Sequence, residues 1–217
     1  RGTGKTTTAR LLAKSLNCTG ADGQGGITAE PCGVCPACTE IDSGRFPDYI
    51  ELDAASNRGV DEVQSLLEQA VYKPVQGRFK VFMIDEVHML STSAFNALLK
   101  TLEEPPSHVI FILCTTEIHK IPATVLSRCQ RHEFRRIPVP VIIKKLTELT
   151  KKEKIKIESD ALSLIARQAT GSMRDAISLV DQLSSMSKKI TLTIAQEVLG
   201  TATSQSVIEL VDAILTK

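Results

Sequence analysis

Two periodicities alternate along the chain. Helical spacing follows Lys5, with Ala9, Leu11, Leu12 and Leu16 predicted on one side. Tyr49 to Ala54 is strand-like, and Val60 to Tyr72 returns to helical spacing through Val63, Leu66, Leu67, Ala70 and Val71. Val81 to Ile84 is a continuous apolar run, which marks a strand buried on both faces of a parallel sheet. Ser91 or Thr92 can cap the next helix by accepting one of its orphan N–H groups; Phe95, Leu98, Leu99 and Leu102 share one face, and Pro105-Pro106 stop it. Val109 to Leu113 predicts another buried strand, ending at Cys114-Thr115-Thr116. Strand alternating with helix predicts a parallel α/β sheet, in which the strands ending at Ile84 and Leu113 are neighbours if the order is the usual one.

The pattern changes past residue 137. Ile137-Pro138-Val139-Pro140 reads as a stiff linker, because each proline disfavours helix in the residue before it. Helical patterns follow at about 141–154, 159–169, 173–186 and 192–199, and 203–217 begins another. The expected organisation is therefore an α/β unit over 1–138, a small helical unit over 139–200 and the start of a further domain at 201–217. Ser172 and Asp175 form an S-x-x-D capping box, which puts Arg174 in the first turn of its helix. The helix dipole disfavours a cation there, so an anionic partner such as phosphate is expected. Ala176, Ile177, Val180 and Leu183 form the stripe predicted to pack the other way.

Composition narrows the class. Of 217 residues 42% are hydrophobic and 24% charged, which excludes a disordered or fibrous chain. No apolar run approaches the ~20 residues that cross a bilayer. The formal charge of +1 means that any nucleic-acid contact comes from local placement of charge. With no Trp and 4% aromatic residues, base stacking is not the expected mode. Lys144, Lys145, Lys151, Lys152 and Lys154, with Glu148 and Glu153 between them, read first as a solvated face. The chain opens without Met or a secretion signal, directly inside a motif, and is read as a fragment.

That motif is Gly2-Thr3-Gly4-Lys5-Thr6-Thr7, the end of a phosphate-binding loop G-x-x-x-x-G-K-[ST]. Glycines let backbone N–H groups curl around an anion, and the following helix adds its positive end. Lys5 would reach the β- and γ-phosphates of ATP and the Thr6 hydroxyl would ligate Mg²⁺; a plain glycine turn before a helix is the alternative. Asp85 and Glu86 stand at the C-terminal end of the buried strand, where open α/β sheets bind ligands. Asp85 would hold Mg²⁺ and Glu86 would activate the attacking water. Thr115 or Thr116 could position that water, although threonine is also an ordinary strand residue.

Cys18, Cys32, Cys35 and Cys38 are spaced C-x13-C-x2-C-x2-C. Short two-residue spacers, with Pro31 and Gly33 for the turns, suit a structural four-thiolate Zn²⁺ site better than disulfides or a redox pair. The glycine-rich loop Thr19–Ala29 could displace Cys18 from the other three. Cys114 and Cys129 read as ordinary buried cysteines.

Together with the run Phe95-Asn96-Ala97-Leu98-Leu99-Lys100-Thr101-Leu102-Glu103-Glu104-Pro105-Pro106 and with Ser127-Arg128-Cys129, these motifs resemble the gamma/tau family of bacterial DNA polymerase III clamp-loader subunits, which are AAA+ ATPases. The resemblance covers essentially the whole chain. It implies an AAA+ P-loop ATPase domain with a zinc-binding insert, followed by a helical lid and then a collar domain. Read by itself Arg128 is an arginine paired locally on the surface; the resemblance implies instead that it serves as an arginine finger in trans on ATP held by a neighbouring subunit, that Thr116 takes the water-sensing position near the γ-phosphate, and that Arg174 touches the phosphates from the lid. The stretch before Arg1 would carry the first loop glycine, the first strand and the purine contacts. Implied partners are the other subunits of a hetero-pentameric ring, the sliding clamp and the backbone of primed DNA, with Arg58 a candidate contact, all in the bacterial cytoplasm at the nucleoid. The chain would belong to a DNA-directed DNA polymerase holoenzyme, a nucleotidyltransferase, without itself carrying a polymerase carboxylate set. Rival readings are a helicase, since Asp85-Glu86-Val87-His88 imitates a D-E-x-H box, an assembly scaffold without hydrolysis and, more remotely, a small-molecule kinase.

Overall fold

The computed structural model describes residues 1–200 and Ile214; the expected 203–217 helix and the 201–217 segment lie outside these residues apart from Ile214. The chain forms two compact units, one of Gly4–Glu133 and one of Phe134 onward together with Arg1–Thr3.

The first unit is built on a sheet of three parallel strands in the order β1 (Tyr49–Asp53), β2 (Lys80–Asp85), β3 (Val109–Leu113). The register pairs Asp53 with Asp85 at the C-terminal edge. Side chains alternate across β2, as the pleat requires. Phe82 and Ile84 face one core with α3 (Val60–Val71) and α4 (Thr92–Glu103), while Val81 and Met83 face another with α1 (Lys5–Asn17) and α2 (Pro36–Asp42). Both faces of β2 are thus covered, which is why it reads as an unbroken apolar run. β3 differs from the expectation. At the edge of the described sheet, it buries Val109 fully and the rest only in part.

One helix, α1, turns a different face to the core than the apolar count predicts, while α3 keeps its predicted face except at Val71. In α1 the buried positions are Ala9, Ala13 and Asn17, each one helical turn apart, while Leu11 and Leu12 are exposed. Small side chains let this helix lie close against the sheet, so volume, not hydrophobicity, chose the face. In α3, Val63, Leu66 and Ala70 are buried, but Val71 is exposed. Ser91 caps α4, its Oγ accepting from the Ala94 N–H at 3.2 Å.

Buried polar groups tie the lower end of the sheet. Asp48, fully buried, accepts from the N–H groups of Val75, Gln76 and Gly77 at 2.7–2.8 Å. Asn17 does the same for the approach to β2, accepting from Arg78 and Phe79 N–H and donating to the Phe79 carbonyl.

The second unit is helical: α6 (Val139–Lys152), α7 (Ser159–Gln168), α8 (Met173–Met186) and α9 (Leu192–Leu199), with a short parallel pair β4 (Lys156–Ile157) and β5 (Lys189–Ile190) that the pattern did not predict. The prolines expected to form a linker instead start α6. Pro138 is its N-cap and Pro140 lies in its first turn, where a missing N–H costs nothing. Leu146, Ile165, Ala176, Leu183 and Ile190 centre this core, and Ile177, predicted on the packing stripe, is partly exposed. Half of the capping box forms: Ser172 Oγ accepts from the Asp175 N–H at 3.2 Å, while the Ser172 N–H goes to the Ala169 carbonyl.

Candidate nucleotide site and cysteine module

The glycines before α1 adopt the backbone that this turn needs. Gly2 and Gly4 have φ of +66° and +96°, a left-handed region that side chains rarely enter, and Gly4 is the N-cap of α1. Lys5 and Thr6 therefore sit in the first turn, at the positive end of the helix. Thr3 lies on the preceding bend and Thr7 points outward, exposed.

The parallel register carries the end of β2 to the same place. Thr6 Oγ1 donates to Asp85 Oδ2 at 3.1 Å, joining residues far apart in sequence. Lys5 belongs to this cluster: its charge lowers the Cys114 thiol while Asp85 and Glu86 raise it. Burial dominates, however, and the Cys114 thiol is pushed up to about 11. Glu86 follows in a left-handed conformation, φ 46° and ψ 43°, unusual for a residue with a side chain and the kind of strain that collects at functional sites. Its N–H donates to Asp85 Oδ1 at 2.9 Å, and its Oε2 accepts from Thr116 Oγ1 at 3.0 Å. The two threonines after β3 separate here. Thr116 binds Glu86, and Thr115 binds His88 Nδ1 at 2.9 Å.

Sequence reasoning overlooked His88 and Glu117. His88 is nearly buried between them, Nδ1 lying 3.5 Å from Glu86 Oε2 and Nε2 3.3 Å from Glu117 Oε1. The D-E-x-H spacing was visible, but it was read for its helicase likeness and not for the imidazole.

Arg128 follows α5 (Ala123–Leu126) and is engaged within its own unit. Its guanidinium pairs with Glu103 and reaches Ser127 Oγ at 3.3 Å. The Glu103-Glu104-Pro105-Pro106 run thus supplies a counter-charge. In the helical unit Arg174 occupies the first turn of α8, and the Met173 N–H donates to the Gly2 carbonyl at 3.0 Å. A side chain at Gly2 would collide with Ser172 Oγ and lie against the Arg174 Cβ at 3.3 Å.

The four cysteines converge. Their sulfurs lie within 4.8 Å of one another, and Cys18 and Cys35 are 3.9 Å apart. Zn–S bonds of about 2.3 Å place tetrahedral sulfurs roughly 3.8 Å apart, so this donor set fits zinc. The Thr19–Ala29 loop does not displace Cys18. N–H groups of Gly20 and Cys32 point at Cys18 Sγ, and that of Cys35 at Cys32 Sγ, at 3.3–3.4 Å. Such donors favour thiolate, and they lower the Cys18 thiol. Burial pushes Cys38 up to about 12. Arg78 braces the module, donating to the carbonyls of Leu16, Cys18 and Gly25.

Comparison with known proteins agrees with this geometry. A family model described as DNA polymerase III, delta subunit, matches residues 1–138, and one described as DNA polymerase III clamp loader subunit, ATPase lid domain, matches 141–189. The chain is 50% identical over 216 residues to DNA polymerase III subunit tau of Escherichia coli, covering 99% of this chain and 33% of that one. It is 50% identical over 190 residues to subunit tau of Bacillus subtilis, covering 88% and 33%. To subunit gamma of Buchnera aphidicola it is 46% identical over 218 residues, covering 100% and 58%. The chain thus spans about a third of the length of these tau relatives. A solved structure of the Thermotoga maritima RuvB Holliday junction branch migration motor superposes with a TM-score of 0.63 at 19% identity, over 91% of this chain and 59% of that one, a likeness of fold. Among the described residues no helix is long and apolar enough to cross a membrane. The first family model carries the delta name and the relatives tau or gamma, and identity near one half along the whole chain decides between them: this chain belongs to the gamma/tau family of DNA polymerase III clamp-loader subunits, on an AAA+ fold.

Proposed function

We propose that the chain is the ATP-hydrolysing motor portion of a clamp-loader subunit, which opens a ring-shaped sliding clamp and sets it on primed DNA in the bacterial cytoplasm. The observation that carries the reading is the Thr6–Asp85 hydrogen bond of 3.1 Å, which joins the start of α1 to the end of β2 with Lys5 alongside. Gly2, Thr3, Gly4 and Thr7 shape the loop, Lys5 would neutralise the β- and γ-phosphates, and Thr6 and Asp85 would hold Mg²⁺, which would supply positive charge against the phosphate oxygens. Glu86 orients and deprotonates the attacking water, and Thr116, bonded to it, ties that carboxylate to the segment after β3. Arg128 acts in trans on a neighbour's ATP in a hetero-pentameric ring, exchanging Glu103 for phosphate as charge builds in the transition state. Arg174 contacts the phosphates from the lid. Cys18, Cys32, Cys35 and Cys38 hold a structural Zn²⁺ that closes four ligand positions and leaves none for chemistry. Primed DNA is held by its backbone and not by its bases, so loading is salt-sensitive. Membership of a polymerase holoenzyme gives the chain a nucleotidyltransferase context without a polymerase active site of its own. The presence of Lys5, Thr6, Asp85 and Glu86 in one cluster disfavours a scaffold without hydrolysis.

The test measures ATP turnover by the full-length assembly with and without clamp and primed DNA, then repeats it with Lys5→Ala, Glu86→Gln and Arg128→Ala. Glu86→Gln is expected to retain ATP and lose turnover by about 10²–10⁴-fold. Near-normal clamp loading by Lys5→Ala or Arg128→Ala would refute the assignment.

A further inference from the structure

His88 has no part in the phosphate cluster or the cysteine module, yet it is the ring that separates two carboxylates at the end of the sheet. It lies on the short turn Val87–Met89, and its side chain is 5% exposed. Three of its neighbours are polar: Glu86 Oε2 at 3.5 Å and Thr115 Oγ1 at 2.9 Å from Nδ1, and Glu117 Oε1 at 3.3 Å from Nε2.

Counting donors decides where one proton lies. Both carboxylates accept and neither donates, but Nδ1 also has the Thr115 hydroxyl, which can donate to it, so a single ring hydrogen is placed on Nε2 toward the nearer carboxylate, Glu117. Glu117 remains ionised because the Lys120 ammonium, 2.6 Å away, holds its carboxyl below the usual range. Thr115 Oγ1 already accepts from the Glu117 N–H at 2.9 Å, which leaves its own hydrogen free to point at Nδ1. With its one hydrogen on Nε2, the ring turns the Nδ1 lone pair toward Thr115 and Glu86. Glu86 Oε2 is then held by the Thr116 hydroxyl, with its remaining lone pairs available for water. A second proton, on Nδ1, reverses the arrangement. The ring becomes a cation between Glu86 and Glu117 and donates toward Glu86 Oε2, which engages the base in an ion pair. Glu86 faces the ring from its own segment, and Thr115 and Glu117 face it from the segment after β3, with Lys120 and His119 behind Glu117.

We infer that His88 is a positioning residue for Glu86: neutral, with its proton fixed on Nε2 by Glu117 and Thr115, it leaves the carboxylate free to act as a base, and protonated it withdraws that carboxylate. The inference rests on the assignment of Glu86 above. Its mark is an acid-side fall in turnover that nucleotide affinity does not share.

The experiment is the pH profile of ATP turnover by the full-length assembly, comparing wild type with His88→Gln and Glu117→Gln, alongside binding of a fluorescent ATP analogue. His88→Gln is expected to lower kcat by about tenfold at neutral pH, a fraction of what a general base contributes, with unchanged affinity for the analogue and without the wild-type acid-side midpoint. Glu117→Gln, whose side chain is 36% exposed, keeps an acceptor for Nε2–H but removes the charge that favours the imidazolium, so its acid limb shifts to lower pH. An unshifted limb in Glu117→Gln overturns the inference even if His88→Gln fails to fold. So does a folded His88→Gln with wild-type kcat and wild-type acid limb. Either result leaves the base assignment standing while Glu86→Gln is inactive; wild-type turnover by Glu86→Gln would instead overturn that assignment.

Discussion

Asn17→Ala is expected to be one of the most damaging single changes in the α/β unit, although alanine is the better helix former. Asn17 is 1% exposed and makes four hydrogen bonds at the C-terminal end of α1. Its Oδ1 accepts from the N–H groups of Arg78 and Phe79 at 2.8 and 2.9 Å, and its Nδ2 donates to the carbonyls of Phe79 and Ala13 at 3.1 and 3.2 Å. Truncation leaves two part-buried donors and the Phe79 carbonyl without this partner. Each orphan is worth about 1–3 kcal/mol, and partial entry of water places the total near 2–5 kcal/mol. That is a large share of the ~5–15 kcal/mol that holds a domain together. The assay is urea unfolding followed by tyrosine fluorescence. The chain has no Trp, and both tyrosines, Tyr49 and Tyr72, lie in this unit, so the signal reports on it alone. Leu11→Ala and Leu12→Ala are the controls; both side chains are exposed, and each variant should stay within about 0.5 kcal/mol of wild type. A loss below about 1 kcal/mol for Asn17→Ala, or a larger loss for either leucine variant, would refute the reasoning that small and polar residues form the buried face of α1.

Three further outcomes follow from the same structure. Gly2→Ala combines a left-handed φ with a collision against Ser172 Oγ, and should cost about 1–3 kcal/mol, read as a lower Tm by calorimetry; an unchanged Tm would refute it. The Arg10–Glu51 pair, with Tyr49 donating to Glu51 at 2.7 Å, lowers the Glu51 carboxyl, so its stabilisation is present above the ordinary glutamate range and is lost as pH falls through it. Glu51→Gln should therefore narrow its stability gap to wild type in acid, and because the pair is part-exposed the gap at neutral pH should not exceed about 1 kcal/mol. One zinc per chain is expected by metal analysis, falling when Cys38 is changed to Ser, with Co²⁺ substitution giving thiolate-to-metal charge-transfer bands; a thiolate-free Co²⁺ spectrum would exclude the four-sulfur site.

Legibility differed by element. The buried strand Val81–Ile84 was plain because both of its faces are covered, and continuous apolarity is then its one solution. The turn before α1 was plain because Gly2 and Gly4 answer a local backbone demand for a left-handed φ. The face of α1 departs from the apolar count, which ignores how closely a helix must approach the sheet, whereas α3 keeps its predicted face except at Val71. Pro138 and Pro140 were taken for a linker, because proline at a helix start and proline in an extended segment look alike without the following turn.

What the sequence determines by itself is local: which segments can be helix or strand, where glycine permits a left-handed turn, and which residue types could hold phosphate, magnesium or zinc. Partnership was decided by the tertiary structure. It brings Asp85 to Thr6, separates Thr116, bound to Glu86, from Thr115, bound to His88, and closes four sulfurs to within 4.8 Å. It also gives Glu103 to Arg128 and Glu117 to His88, pairings between segments whose spacing along the chain carries no trace of them. The reason is physical: hydrogen bonds and ion pairs act over a few ångströms, and the packing of the strands sets those distances.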